Sequence, residues 1–122
     1  MEKKDFQEMC KDIFKRNAFI CRGTNFYFDT EKFLLVFGLQ HSRFGKYYYI
    51  EYGIADKAIN ECMPWPKVYQ VGRERRRVNF QMGKTFTPTA VFYGGEFEKE
   101  LFTDTLESII KLEKELLLQY KN

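Results

Sequence analysis

FLLVFGLQHSRFGKYYYIEYGI, residues 33–54, is the densest apolar and aromatic stretch of the chain and holds its single histidine. It reads as two strands joined by a polar turn. Side chains alternate along a strand, so Phe33, Leu35, Phe37 and Leu39 share one face, and Leu34, Val36, Gly38 and Gln40 the other. Both faces are apolar over the first half, which predicts a central strand covered on both sides at that end. SRFGK (42–46) is the turn, with Gly45 supplying the permissive backbone. In 47–54, Tyr48, Ile50, Tyr52 and Ile54 make the core face. Glu51 marks the face of Tyr47, Tyr49 and Gly53 as partly wet.

Toward the N-terminus, residues 24–28 (TNFYF) are strand formers, and 29–32 form a turn that makes a hairpin with the strand 33–40. Residues 18–23 are a connector or short edge strand. Residues 2–16 carry Phe6, Met9, Cys10, Ile13 and Phe14 at helical spacing, an amphipathic helix that Asn17 stops. Toward the C-terminus, Pro64 and Pro66 around Trp65 exclude a regular helix. The segment 55–72 is therefore expected as a long connection that folds Trp65, Val68 and Tyr69 onto the domain. A strand is expected at 73–82, with Val78, Phe80 and Met82 inward, then a turn at 83–88 and a short strand at 89–93. Asp104 and Glu107 resemble a capping box that opens a last helix. Its apolar stripe is Leu106, Ile109, Ile110, Leu116, Leu117 and Tyr120, while 96–102 fit either an extension of it or a separate turn.

This order predicts one α+β domain over 1–122. An N-terminal helix precedes a mainly antiparallel sheet of four to five strands, and a C-terminal helix packs on that sheet. The size suffices for a core without metal or disulfide. Aromatics make up 18% of the residues, which favours a sheet-rich fold. A net charge of +3 does not by itself call for nucleic acid or an anionic membrane. Cys10, Cys21 and Cys62 form no C-x-x-C pair, so no zinc or redox motif is written. Their odd number fits a reducing cytosol. The first residues lack the apolar core of a signal peptide, and no run is long enough to span a membrane.

NAFICRGTNFYFD, the central stretch and RRRVNFQMG together resemble a small bacterial family known as domain of unknown function 4304. The residues that carry the likeness are Phe19, Gly23 and Phe26; Gln40, Ser42 and Arg43; Tyr48, Ile50, Gly53 and Ile54; and the basic run from Arg77 to Gly83. The resemblance covers residues 1–83. It departs at Ala18, where the family carries glycine, and after residue 84, where a Trp-rich ending is missing. It implies an α+β fold and no particular activity.

The candidate sites cluster at the tip of the central hairpin. His41 beside Ser42 suggests a base and a nucleophile, but adjacent strand residues point to opposite faces and no acidic orienter accompanies them. A polar strand end is the simpler account. Gln40, Ser42 and Arg43 offer amide, hydroxyl and guanidinium groups to a carboxylate, phosphate or peptide backbone, or else tie the turn to its neighbours. Tyr47 and Tyr49 are the tyrosines least expected in the core. Arg73, Arg75 and Arg77 form a basic strand suited to an anion, or a charged edge that resists edge pairing. Gly83-Lys84-Thr85 lacks the upstream glycine of a phosphate loop, since Val78 stands there. No catalytic, metal or cofactor set is complete. The expectation is a cytoplasmic, non-enzymatic module that binds a protein or peptide, adaptor- or immunity-like, at Gln40, His41, Ser42, Arg43, Tyr47 and Tyr49. The second reading is a nucleic-acid-binding domain using the arginine strand and exposed tyrosines. The third is a small-ligand site at residues 40–43.

Overall fold

The computed structural model describes residues 1–59, 64–71, 75–80 and 89–121. Helix α1 (Lys3–Arg16) leads into six strands: β1 (Ile20–Arg22), β2 (Asn25–Asp29), β3 (Phe33–His41), β4 (Tyr47–Asp56), β5 (Arg76–Arg77) and β6 (Val91–Phe92). Helix α2 (Lys99–Leu116) follows and ends in a π-turn, Leu117–Lys121. The α+β class, the two helices and the antiparallel sheet are as expected, with six strands among the described residues. The sheet runs β1-β2-β3-β4-β5, every pair antiparallel. β6 also pairs with β4, alongside Tyr47 and Tyr48, while β5 pairs further on with Glu51 and Tyr52. Two short strands therefore share one edge of β4.

The α1 stripe is buried as its spacing predicts: Phe6, Met9, Cys10, Ile13 and Phe14. The helix ends in a Schellman turn. The Phe19 N–H donates to the Phe14 carbonyl at 3.0 Å and the Ala18 N–H to that of Lys15 at 3.1 Å. The Phe14 and Phe19 rings meet at 5.2 Å across it. Ala18 takes the left-handed backbone (φ 67°) that this turn requires.

The sheet has an inner face under both helices and an outer face. Against the inner face, Phe14 stacks on Phe26 at 4.2 Å and Phe6 on Tyr48 at 4.6 Å. Leu35, Phe37 and Ile50 fill the middle of this core, and Val78, Phe80, Val91 and Phe102 its flank. On the outer face, Tyr27, Leu34, Val36 and Ala55 are buried under residues 65–71 through Val68, Val71 and the half-buried Trp65. The central strand β3 is thus covered on both sides, as its double apolar pattern demands.

Four expectations change. Tyr69 is exposed, because the 3-10 turn Val68–Gln70 directs Val68 inward and its neighbour out. α2 begins at Lys99, so Asp104 and Glu107 lie inside it and cap nothing. Ser108 Oγ donates to the Asp104 carbonyl, and Glu107 pairs with Arg16. The earlier start follows from Phe102, which extends the Leu106 and Ile110 stripe back by one turn. Leu116 is exposed beside the buried Leu117, roughly 100° away around the helix. Among the described residues of 73–82 the strand is Arg76–Arg77, the Val78 N–H still donates to the Ile50 carbonyl at 2.8 Å, and Val78 and Phe80 are buried as expected. The expectations at Cys62, Arg73, Met82, the 83–88 turn and the Tyr120 side chain fall outside the described residues.

Candidate functional site

Strand parity divides the hairpin tip between the two faces. Gln40 and Ser42 belong to the outer face with Tyr47, Tyr49 and Glu51, since Gln40 is the register partner of Tyr49. His41 belongs to the inner face, opposite Tyr48. The predicted residues therefore form two groups.

The inner group is a polar seal at the end of the core. His41 Nε2 and Tyr93 Oη share a hydrogen bond of 2.6 Å, and the imidazole meets the Tyr48 ring edge-on at 4.9 Å. Gln7 Nε2 donates to Tyr48 Oη at 2.7 Å. Burial raises the Tyr48 hydroxyl above its ordinary value, the Gln7 bond opposes this, and Tyr93 and Cys10 add to it. His41 and Ser42 do not meet. The Ser42 hydroxyl instead accepts the Phe44 N–H at 3.0 Å and holds the turn.

The outer group is a partly open aromatic surface. Tyr47 packs against Phe92 at 5.1 Å, and the Arg77 guanidinium lies over the Tyr49 ring at 4.2 Å. Tyr47, Tyr49 and Phe92 are half-buried, while Gln40 and Arg77 are exposed. Arg75 is engaged: its Nε donates to Glu51 Oε2 at 3.1 Å and its guanidinium to the Tyr69 carbonyl at 2.8 Å. Beyond the strands, Arg43 is exposed and Phe44 stands 92% exposed at the tip. Tyr47, Tyr49, Gln40 and Arg77 come together; His41 does not join them.

The boundary of this surface is physical. Residues 65–71 cover the outer face as far as Gly38, where the Val68 N–H donates to Asn25 Oδ1 at 3.0 Å. Trp65 closes the far side, edge-on to Tyr27 at 5.1 Å and under the Arg22 guanidinium. Past Gly38 the outer side chain of β3 is the polar Gln40, and among the described residues the cover stops.

Reading the sequence did not link Phe92 or Tyr93 to the hairpin tip. The last strand sends one to each face, and nothing local ties residue 93 to residue 41. Phe44 was missed as well, although an aromatic inside a turn of Ser, Arg, Gly and Lys is the signal that could have found it.

The two described cysteines, Cys10 and Cys21, carry no reactive signature. Cys10 is buried and its thiol is pushed well up by that burial. Cys21 is half-buried and raised mainly by burial, with Lys15 and Lys11 opposing the rise. Among the described residues no cluster of His, Cys, Asp and Glu is placed to hold a metal ion, and no helix is long and apolar enough to cross a membrane.

Comparison with known proteins gives one family match for the chain. Residues 11–111 match the model of the family described as Domain of unknown function (DUF4304), which reaches well past residue 83, where the motif resemblance stops. No curated protein and no solved structure matches the chain.

Proposed function

The chain belongs to the DUF4304 family, and from the geometry of its outer face we propose that it is a non-enzymatic binding module for a protein or peptide. Its role is adaptor- or immunity-like. One observation carries this reading: Tyr47, Tyr49, Phe92 and Arg77 share a half-exposed sheet face beside the fully exposed Phe44. Tyr, Phe and Arg are enriched in protein interfaces, because the rings bury large areas at small entropic cost and the guanidinium both stacks on rings and donates hydrogen bonds. β4 and its neighbours hold these rings rigidly, so little ordering remains to oppose binding. The family resemblance and the odd cysteine count support a bacterial, cytoplasmic setting.

The nucleic-acid reading draws on the same Arg77–Tyr49 stack, since bases stack on aromatic platforms. Glu51 counts against it. This carboxylate lies in the middle of the face and neutralises Arg75, where a phosphate backbone needs uncompensated cations.

The test isolates the chain's partner from host lysate and compares wild type with Tyr49→Ala and Phe44→Ala. Truncating an interface anchor costs about 2 kcal/mol or more, a loss in affinity of roughly 30-fold. The expected result is that loss for one identified protein, with circular dichroism unchanged. Binding to single-stranded RNA that weakens steeply with salt, and no protein lost on substitution, overturns the proposal in favour of the second reading.

A further inference from the structure

The aromatic surface carries a sign. Three of its rings each have a cation beside them. The Arg77 guanidinium lies over Tyr49 at 4.2 Å. The Lys46 stem runs past Gly94 beside Phe92: a Cβ on that glycine would stand 2.8 Å from Lys46 Cδ and 2.9 Å from Phe92 Cζ. Arg43 precedes Phe44 in the turn, and both are exposed. The topology gathers these groups along β4, because β6 pairs with Tyr47 and Tyr48 while Arg77 is the register partner of Glu51.

Anions do not balance these cations. No acidic residue occurs from Leu39 to Ile50 or from Thr89 to Gly95. The Glu51 side chain is only 12% exposed, and its carboxylate is held by Arg75 at 3.1 Å. Among the described residues, Arg43, Lys46 and Arg77 have no ion pair. The surface therefore presents three uncompensated positive charges around Phe44, Tyr47, Tyr49 and Phe92. A matching surface carries carboxylates around an apolar group.

The geometry favours carboxylates over a nucleic acid. A guanidinium stacked on a ring keeps its N–H fork in its own plane, where a carboxylate can take two bonds from it. A base needs an open ring to stack on. Tyr49 already carries Arg77, and Tyr47 and Phe92 lie against each other at 5.1 Å. Resting on the partner-binding reading above, we propose that the partner presents an acidic segment. One Asp or Glu carboxylate sits on the Arg77 fork, further carboxylates face Arg43 and Lys46, and an apolar side chain between them packs on Tyr47, Tyr49 and Phe92.

The experiment selects binders of the full chain from a phage library of random twelve-residue peptides. The selected peptides are then titrated by fluorescence anisotropy. The expected peptides hold more Asp and Glu than Lys and Arg, together with a Leu, Phe or Trp. Their affinity should fall at least tenfold between about 50 and about 300 mM salt, because salt screens the attraction. A charged hydrogen bond lost on substitution weakens binding by about 10- to 100-fold, the effect expected for Arg77→Gln. Arg77→Lys should restore only part of it, since an ammonium keeps the charge without the fork. Arg22→Gln removes the same charge from an exposed arginine over Trp65 and should change nothing. Selected peptides that are neutral or basic but still need Tyr49 overturn the acidic partner and leave the binding module standing. Equal losses in Arg22→Gln and Arg77→Gln also overturn it, because net charge alone then explains the binding. So does an oligouridine of twelve nucleotides that binds more tightly than every selected peptide and is lost on Arg77→Gln. If no selected peptide of any charge weakens on Tyr49→Ala or Phe44→Ala, the partner-binding reading falls together with this one.

Discussion

Replacing Gly38 by alanine tests how the outer face is divided. A Cβ at this position would stand 2.3 Å from Val68 Cγ1, 2.8 Å from Val68 Cβ and 2.9 Å from Asn25 Oδ1. Favourable contact between carbons needs roughly 3.5 Å or more, so the cover must move by about 1 Å. Val68 cannot yield by rotation alone. It is β-branched and stiff at χ1, and its Cβ is itself too close. The segment 65–71 has to lift, and the Val68 N–H to Asn25 bond of 3.0 Å lifts with it. Overpacking costs about 1–3 kcal/mol and the lost hydrogen bond about 1 kcal/mol. Removing a strand glycine returns roughly 0.5 kcal/mol. The expected net loss is about 2–3 kcal/mol, a large share of the roughly 5–15 kcal/mol that holds a domain of this size. It corresponds to a fall in melting temperature of about 10 °C. Urea unfolding measures the loss, and the emission of Trp65, the chain's single tryptophan, reports whether the cover has lifted. In the double variant Gly38→Ala/Val68→Ala the nearest clash is gone, so its cost should fall about 1 kcal/mol or more below the sum of the single costs. A Gly38→Ala loss under about 0.5 kcal/mol, or strict additivity in the double variant, refutes the reasoning.

Two further outcomes follow from the helix end and the buried thiol. Ala18→Gly should stabilise the chain by about 0.5–1 kcal/mol, because the left-handed backbone at Ala18 costs an L-residue roughly 1–2 kcal/mol and glycine gives back part of that as unfolded-state entropy; a lower urea midpoint in this variant would count against the Schellman assignment. Stability should also decline as pH rises from 8 to 10.5. Burial raises the Cys10 thiol well above its ordinary 9.0, so from about that pH the unfolded chain releases a proton the folded chain retains. The raised hydroxyls of Tyr27 and Tyr48 add the same tendency above their ordinary 10.0. Cys10→Ala should flatten the earlier part of that decline in urea unfolding, and an unchanged slope would show that the thiol is not the cause.

Parity made the hairpin tip legible in sequence. A strand offers only two directions, so Glu51 alone sufficed to separate Tyr47 and Tyr49 from Tyr48, and the same rule kept His41 apart from Ser42. The structure places the three tyrosines and His41 accordingly, and Ser42 lies just past the strand in the turn. Helix α1 was legible because its five apolar residues all fall within one stripe. The start of α2 was obscured by the resemblance of Asp104 and Glu107 to a cap, although Phe102 already carried the period one turn further back. The contacts of Phe92 and Tyr93 were not legible. They depend on the chain returning to β4 from far along the sequence, and a two-residue strand has no pattern that fixes its partner.

The extent of the aromatic surface is set by β3 and not by the tyrosines themselves. Leu34 and Val36 cannot face water at the width of a whole sheet, so the outer face needs a cover there, and Val68, Val71 and Trp65 supply it. Gly38 is the last position at which that cover can approach, because any side chain would hold it off. From Gln40 onward the strand is polar and needs no cover, which leaves the neighbouring rings of Tyr49 and Tyr47 half in solvent. The change from apolar to polar between Val36 and Gln40 thus fixes where the scaffold ends and the binding face begins. A Gln40→Leu substitution should extend the apolar patch without any segment to shield it. The expected result is self-association of an otherwise folded chain, read by light scattering, and a monomer unchanged in solubility would show that the open half already has a cover.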